Sequence, residues 1–147
     1  PSLVRLAEKR GFTLLGSRRL FTTVGFLCSA AMLLPVSQAR GLSPWVSTAL
    51  FSAANCFFGL APSGFKANYL DITERYVGII SGYGNTLGTF ASWAGPQLVA
   101  AVLQRTGSWD LVLGCVALVN VLAAANYCLH STVNVVEREA SAAKKAA

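Results

Sequence analysis

Charged residues are missing from the four longest apolar stretches of this 147-residue chain. Asp, Glu, Lys and Arg make up only 12% of the sequence, whereas soluble domains average about 25%. A soluble helical domain would need a polar face on each helix, and the last of the four stretches has almost none. The composition therefore disfavours a soluble domain. The charge-free stretches are residues 20–36, 44–61, 77–103 and 111–129.

Residues that catalyse reactions or bind metals are equally scarce. His130 is the single histidine, and the four cysteines form no CxxC pair. The metalloprotease motif HExxH, the nucleophile motif GxSxG and the phosphate-binding motif GxxxxGK are all absent. A zinc site needs closely spaced Cys and His ligands, so we interpret the cysteines as thiols that pack like hydrophobic side chains. No enzyme activity, catalytic residue, metal site or cofactor is expected.

Each charge-free stretch is close to the length of a membrane-crossing helix. About 20 helical residues cross a hydrocarbon core that is about 30 Å thick. We therefore predict an all-α membrane protein whose residues 20–130 form four transmembrane helices. Residues 1–19 are predicted to be a cytoplasmic connector, and residues 131–147 a disordered cytoplasmic tail.

The distribution of basic residues indicates a membrane rather than nucleic acid, although the net charge is +6. Ten of the twelve Lys and Arg residues lie before the first stretch, after the fourth, or between the second and the third. Only Arg40 and Arg105 lie in the other two connectors. The positive-inside rule then predicts that both termini are cytoplasmic. The expected partner is a lipid bilayer, with no nucleic acid.

Small residues are concentrated in the third stretch, where they predict close helix packing. Glycines four apart share one face of a helix and let a neighbouring helix approach closely. We therefore expect the third stretch to face protein and the bulkier fourth stretch to lie at the periphery. The predicted packing residues form two such pairs, Gly78 with Gly82 and Gly84 with Gly88.

Uncharged polar residues within the stretches are the candidates for a substrate pathway. Groups of this kind need partners at membrane depth, so they face other helices or water. Hydrogen bonding between helices is the simpler role, and direct contact with substrate is the functional alternative. The candidates are Asn55, Asn85 and Thr89.

A cytoplasmic charge network is predicted between the second and third stretches, formed by Asp71, Glu74 and Arg75. On a helix, Asp71 and Arg75 would lie four residues apart and within pairing distance. Such a network could latch two helices in one gating state, or it could simply cap the next helix. A pair of catalytic carboxylates is a much weaker alternative.

Residues 64–89 carry a recognisable pattern. They read G-F-x-x-N-x-x-D-I-x-x-R-Y from Gly64 to Tyr76, followed by G-x-x-N-x-x-G-T from Gly82 to Thr89. This resembles the pattern of the anion:cation symporters of the major facilitator superfamily. That family includes sodium–phosphate cotransporters, vesicular glutamate transporters, sialin and plastid anion transporters.

The resemblance implies a fold and a function. The four stretches would be the ninth to twelfth helices of a twelve-helix secondary transporter. It would move small inorganic or organic anions, such as phosphate or glutamate-like carboxylates, coupled to sodium or protons. The partners would be the missing N-terminal part of the transporter, the anion and the coupling cation. The alternative is a complete four-helix structural subunit of a membrane complex.

Overall fold

The computed structural model describes residue 11, residues 13–38 and residues 41–137 of the chain. These residues form helices joined by short turns, and no strand occurs among them. Each predicted stretch is helical over most or all of its length. The helices are α1 (Leu14–Gln38), α2 (Pro44–Phe58), α3 (Ala61–Asp71), α4 (Val77–Thr106) and α5 (Trp109–His130).

Local sequence explains where several helices begin and end. The Ser43 hydroxyl accepts a hydrogen bond from the Val46 N–H at 3.4 Å, which caps the start of α2. Ser108 caps α5 in the same way through the N–H of Leu111. Between α4 and α5, Gly107 has a φ of +62° and donates its N–H to the Leu103 carbonyl at 2.8 Å. A glycine adopts this left-handed conformation without steric cost and so ends α4.

The region predicted as a connector, residues 62–76, is instead helical as far as Asp71. At the end of α2 the Leu60 N–H donates to the Phe57 carbonyl at 2.9 Å, and α3 begins at the next residue. Pro62 does not prevent this, because a proline in the first helical turn lacks an N–H that would have no partner there. The loop between α3 and α4 is therefore only residues 72–76.

α1 lies at the centre of the described fold. It packs most extensively against α5, and then against α2 and α3, whereas α4 has sparse contacts with α3 and α5. No residue of α4 is buried within the described part of the chain. The expectation that the third stretch faces protein and the fourth is peripheral is thus reversed here, because α5 supplies small buried residues opposite α1. The buried apolar cluster is Ala30, Leu33, Ala54 and Ala117.

The closest backbone contacts between described helices involve two glycines that were not among the predicted ones. A Cβ atom built on Gly25 of α1 would lie 2.7 Å from the backbone nitrogen of Ala61. A Cβ atom on Gly64 of α3 would overlap the Thr22 side chain and the Arg18 carbonyl. Both glycines therefore allow α1 and α3 to touch through their backbones.

Of the predicted packing glycines, only one has a close neighbour among the described residues. A Cβ atom on Gly84 would lie 2.8 Å from the hydroxyl of Tyr69. Atoms built at the other three would meet nothing within 4 Å in the described part of the chain, because that face of α4 is open; these are Gly78, Gly82 and Gly88.

Two of the described helices, α1 and α5, are long and apolar enough to cross a membrane. By length alone, the 30 residues of α4 would also suffice. α2 has 15 residues and is shorter than the about 20 that a crossing needs. A crossing in this region would therefore have to combine α2 with part of α3.

Candidate functional site

An open cleft of about 600 Å³ separates α3 from the first half of α4. Asn85 and Thr89, two of the three predicted pathway residues, line the α4 side together with Ser92. The opposite side is formed by the end of α2 and by α3, through Phe58, Phe65, Lys66 and Tyr69. The cleft therefore has polar groups on both sides and aromatic rings on the side formed by α2 and α3.

Lys66 is the residue of this cleft that sequence reasoning missed as a functional candidate. It was assigned to a connector, whereas the structure places it on α3 with an exposed side chain that lines the cleft. No carboxylate pairs with Lys66 among the described residues. Pro62 is the sequence feature that could have indicated a helix here, because proline is as compatible with the first turn of a helix as with a loop.

The hydroxyl groups on α4 already donate their hydrogens to the helix backbone. Thr89 Oγ1 donates to the Asn85 carbonyl and Ser92 Oγ to the Gly88 carbonyl, both at 2.9 Å. This back-bonding to the residue four or so positions earlier is typical of Ser and Thr within helices. Each hydroxyl oxygen is left with lone pairs that can accept a hydrogen bond.

The third predicted pathway residue, Asn55, lies outside this cleft. Its side-chain Nδ2 donates to the Phe51 carbonyl at 2.9 Å. Asn55 lines a separate cavity of about 320 Å³ between α1, α2 and α5, which also contains Asn120. Phe58 borders both spaces and lies between them. The structure thus brings Asn85 and Thr89 together but not Asn55.

Asp71 of the predicted charge network pairs with Arg18 of α1 and not with Arg75. Arg18 Nε lies 2.8 Å from Asp71 Oδ2, and Arg18 Nη2 lies 3.3 Å from Oδ1. The four-residue spacing fails because α3 ends at Asp71, so residues 72–75 do not continue the helix. The Arg75 guanidinium lies instead over the Tyr76 ring, 5.7 Å from its centroid.

The segment after α5 returns to the same end of the molecule. Its Val136 N–H donates to the Ile72 carbonyl at 3.0 Å, and the Glu137 carboxylate accepts hydrogen bonds from the Thr73 hydroxyl and the Arg75 N–H. Glu74 lies in the same loop and is exposed. Residues 131–137 of the predicted disordered tail therefore have defined contacts, and residues 138–147 lie outside the described part.

These hydrogen bonds lower the pKa of Glu137. The Thr73 hydroxyl has the largest effect, followed by backbone N–H groups that include those of Arg75 and Glu74. Donors of this kind stabilise the ionised carboxylate relative to the protonated one. The contact between the tail segment and the α3–α4 loop thus favours a charged Glu137.

Comparison with known proteins relates the chain to anion transporters, although no family model matches it. It is 30% identical over 137 residues to probable anion transporter 5 of Arabidopsis thaliana, which covers 86% of the chain and 31% of that protein. It is also 30% identical to Homo sapiens sialin over 121 residues, 81% of the chain and 24% of sialin.

A third relative is the chloroplastic sodium-dependent phosphate transport protein 1 of Arabidopsis thaliana. It is 32% identical over 101 residues, 69% of the chain and 19% of that protein. The chain spans less than a third of the length of each of these three relatives. These relatives confirm the resemblance to the anion:cation symporter family that was predicted from the sequence motifs.

Proposed function

We propose that this chain is the C-terminal third of a twelve-helix secondary transporter that moves small inorganic or organic anions with sodium or protons. The carrying observation is a cleft lined by Asn85, Thr89 and Lys66, in a chain that resembles this family, and Lys66 pairs with no carboxylate within the described part of the chain. The covered share of probable anion transporter 5, 31%, is close to four helices of twelve. In this proposal four membrane crossings are formed by α1, by α2 with α3, by α4 and by α5.

The proposed orientation has both termini in the cytoplasm. The start of α1, the end of α3 and the segment after α5 meet at one end of the fold, where Arg18 binds Asp71 and Arg19 binds Ser131. Basic residues are most frequent at this end, which supports a cytoplasmic assignment. Lys66 lies little more than one helical turn before Asp71 on α3, so it would lie near the cytoplasmic mouth of the cleft.

The cleft supplies an anion with a positive charge and hydrogen-bond donors. An ammonium group beside an apolar wall attracts an anion more strongly than it would in open water, since the local dielectric constant is lower. Asn85 and Thr89 add polar contacts along α4, whereas Asn55 would take part from its own cavity. Alternating access would also need the other half of the transporter, because the substrate site lies between two halves.

The Arg18–Asp71 ion pair is the proposed cytoplasmic latch. It joins α1 to α3, and α3 carries Lys66. If α3 tilts when an anion enters or leaves, this pair must strain or break. The proposed latch thus joins α1 to α3 through Arg18 and Asp71, whereas the predicted network paired Asp71 with Arg75.

Uptake by the protein of full coding length in proteoliposomes tests the proposal. Labelled phosphate and labelled glutamate are each supplied with an inward sodium gradient, an inward proton gradient, or neither. We expect uptake of at least one anion that is stimulated by one gradient and collapses with the matching ionophore. Absence of gradient-driven uptake of both anions, by protein that is correctly folded and inserted, would contradict the transporter assignment.

A further inference from the structure

A short segment after α5 ties the start of α4 to the rest of the fold. This strap, residues 131–137, begins where α5 ends and reaches the loop between α3 and α4. Near its far end the Val136 N–H donates to the Ile72 carbonyl at 3.0 Å. The carboxylate of the next residue, Glu137, accepts a hydrogen bond from the Thr73 hydroxyl. The strap therefore binds the chain just before α4.

Thr73 is at the centre of this contact and is buried, with 1% of its surface exposed. Its hydroxyl donates its hydrogen to Glu137 and accepts the N–H of Tyr76 at 3.0 Å. Tyr76 is the residue before α4, so one hydroxyl links the strap to the backbone at the start of that helix. Glu137 also accepts the N–H of Arg75 at 3.1 Å. The carboxylate thus holds the start of α4 through two donors.

The other end of the strap is fixed to α1. Arg19 Nε donates to the Ser131 hydroxyl at 2.9 Å, and Arg19 Nη2 donates to the Ser131 carbonyl at 2.8 Å. Hydrogen bonds from a charged donor are stronger than those between neutral groups. The strap therefore connects α1 and α5 at one end with α4 at the other.

α4 has few other restraints within the described part of the chain. No residue of α4 is buried there, and its contacts with α3 and α5 are sparse, whereas α1 packs extensively against α5, α2 and α3. A segment with little buried surface moves at a lower cost in free energy than a well-packed one. The strap is therefore a main contact that keeps the start of α4 beside α1 and α5.

The contact made by Glu137 is suited to opening and closing. Its Oε1 oxygen accepts both hydrogen bonds, whereas Oε2 is buried and has no partner among the described residues. A buried acceptor without a donor costs free energy, which offsets part of what the two bonds contribute. The strap has no regular secondary structure over residues 131–135. It can therefore dissociate from the loop without unfolding a helix.

We propose that the strap is a restraint on α4 that releases in each transport cycle and so limits the rate of transport. This adds regulation to the proposed function, on which it rests. With Glu137 bound, the start of α4 is held and the cleft between α3 and α4 keeps its width. With Glu137 released, α4 can tilt and change access to Asn85 and Thr89, which line the cleft. The restraint is distinct from the Arg18–Asp71 latch, which joins α1 to α3.

Distances between spin labels measure release without depending on transport. Labels are attached to Asn134→Cys on the strap and Ile79→Cys on α4, two exposed positions, in the protein of full coding length with its native cysteines replaced. We expect a short-distance and a long-distance population. Glu137→Gln should raise the ratio of long to short about threefold or more, as for the loss of one net hydrogen bond.

Thr132→Val is the matched control for Glu137→Gln. The Thr132 hydroxyl lies within the strap and accepts the Asn134 N–H at 3.1 Å, with no contact to the α3–α4 loop among the described hydrogen bonds. Its removal should leave both the distance distribution and the uptake rate unchanged.

Uptake into proteoliposomes connects release to transport. Glu137→Gln should raise the maximal rate about threefold, since the lost hydrogen bond no longer holds back a conformational step. The half-saturating anion concentration should stay the same, because Glu137 does not line the cleft. Ile72→Cys and Val136→Cys, whose backbones are in contact, can be joined by a disulfide or by a short reducible reagent. The joined protein should lose uptake, and reduction should restore it.

Several results would overturn the proposal. Unchanged uptake by the joined protein would exclude release as part of the cycle. An unchanged distance distribution in Glu137→Gln would exclude the carboxylate as the restraint. Slower uptake by Glu137→Gln, at an unchanged melting temperature, would show that the contact promotes transport. Absence of gradient-driven uptake by the unjoined protein would count against the proposed function, whereas the label distances would still test the strap.

Discussion

Arg18 holds Asp71 with two hydrogen bonds, of 2.8 and 3.3 Å, and so ties the start of α1 to the last residue of α3. Both side chains are mostly buried, with 13% and 14% of their surfaces exposed. The same guanidinium donates to the Ser63 carbonyl at 3.1 Å, near the beginning of α3. One side chain therefore contacts both ends of an 11-residue helix.

Removing either charge should destabilise the protein. Asp71→Asn or Arg18→Gln leaves a mostly buried charge without its partner, and we expect a loss of about 3 kcal/mol in the free energy of unfolding. The exchange of both, Arg18→Asp with Asp71→Arg, should recover part of the loss. Thermal unfolding of the purified protein in detergent measures each variant.

Arg75→Gln is the matched control for this ion pair. Arg75 is exposed and its guanidinium lies over Tyr76, so its removal should cost well under 1 kcal/mol. A loss in Arg75→Gln as large as that in Arg18→Gln would show that Asp71 depends on Arg75 after all.

Gly64→Ala should be destabilising, although alanine favours helices. The added methyl would overlap the Thr22 side chain and the Arg18 carbonyl, and overpacking of this kind costs about 1–3 kcal/mol. Gly88→Ala on α4 meets nothing in the described structure and should stabilise by up to about 1 kcal/mol through helix propensity. A higher melting temperature for Gly64→Ala than for Gly88→Ala would contradict this packing.

The contact of the tail segment should weaken in acid. Because the pKa of Glu137 is lowered from its ordinary 4.5, the contact is fully stabilised above pH 4.5 and is lost as the pH falls through the lowered value. Amide hydrogen exchange of Val136, whose N–H is bonded to Ile72, reports the contact. Thr73→Val removes the hydroxyl that contributes most to lowering the pKa of Glu137, so the contact should be lost at a higher pH in this variant.

Glu137→Gln provides the decisive comparison for the tail contact. The neutral amide should reduce protection of the Val136 N–H at pH 6 and remove its dependence on acid. Equal protection in Glu137→Gln and the unchanged protein at pH 6 would show that the carboxylate does not hold the segment.

Accessibility labelling tests the proposed orientation. In a cysteine-free background, Lys66→Cys should react with an impermeant thiol reagent only from the cytoplasmic side. Arg40→Cys and Arg105→Cys should react only from the opposite side, because they lie in the two connectors with few basic residues. Reaction of Lys66→Cys from outside would contradict both the orientation and the place of the cleft.

Local features of the fold were predictable from the sequence, and contacts between distant residues were not. Ser43, Ser108 and Gly107 act within a few residues of where they stand, so their effect on helix ends follows from the chain itself. The partner of Asp71 is Arg18, which lies 53 residues away. The expected pairing of Asp71 with Arg75 requires both residues to lie on one helix, but α3 ends at Asp71.

Only the α4 side of the cleft was predictable from the sequence, for a related reason. Asn85 and Thr89 share a face of one helix, which spacing reveals directly. Lys66 lines the same cleft only because α3 is helical and lies beside α4. From the sequence alone, the charge of Lys66 suggests a connector. The glycines that bring α1 and α3 together, Gly25 and Gly64, belong to different helices, so no spacing rule could pair them.

Arg18 and Arg19 are neighbours in the chain, yet they hold different parts of the protein. Arg18 binds Asp71 of α3, whereas Arg19 binds the hydroxyl and carbonyl of Ser131 at 2.9 and 2.8 Å. Successive residues of a helix point about 100° apart. The two arginines therefore fix the rotation of α1 about its own axis. If α1 turned by one residue, both anchors would be lost together, so we expect α1 to move by tilting and not by rolling.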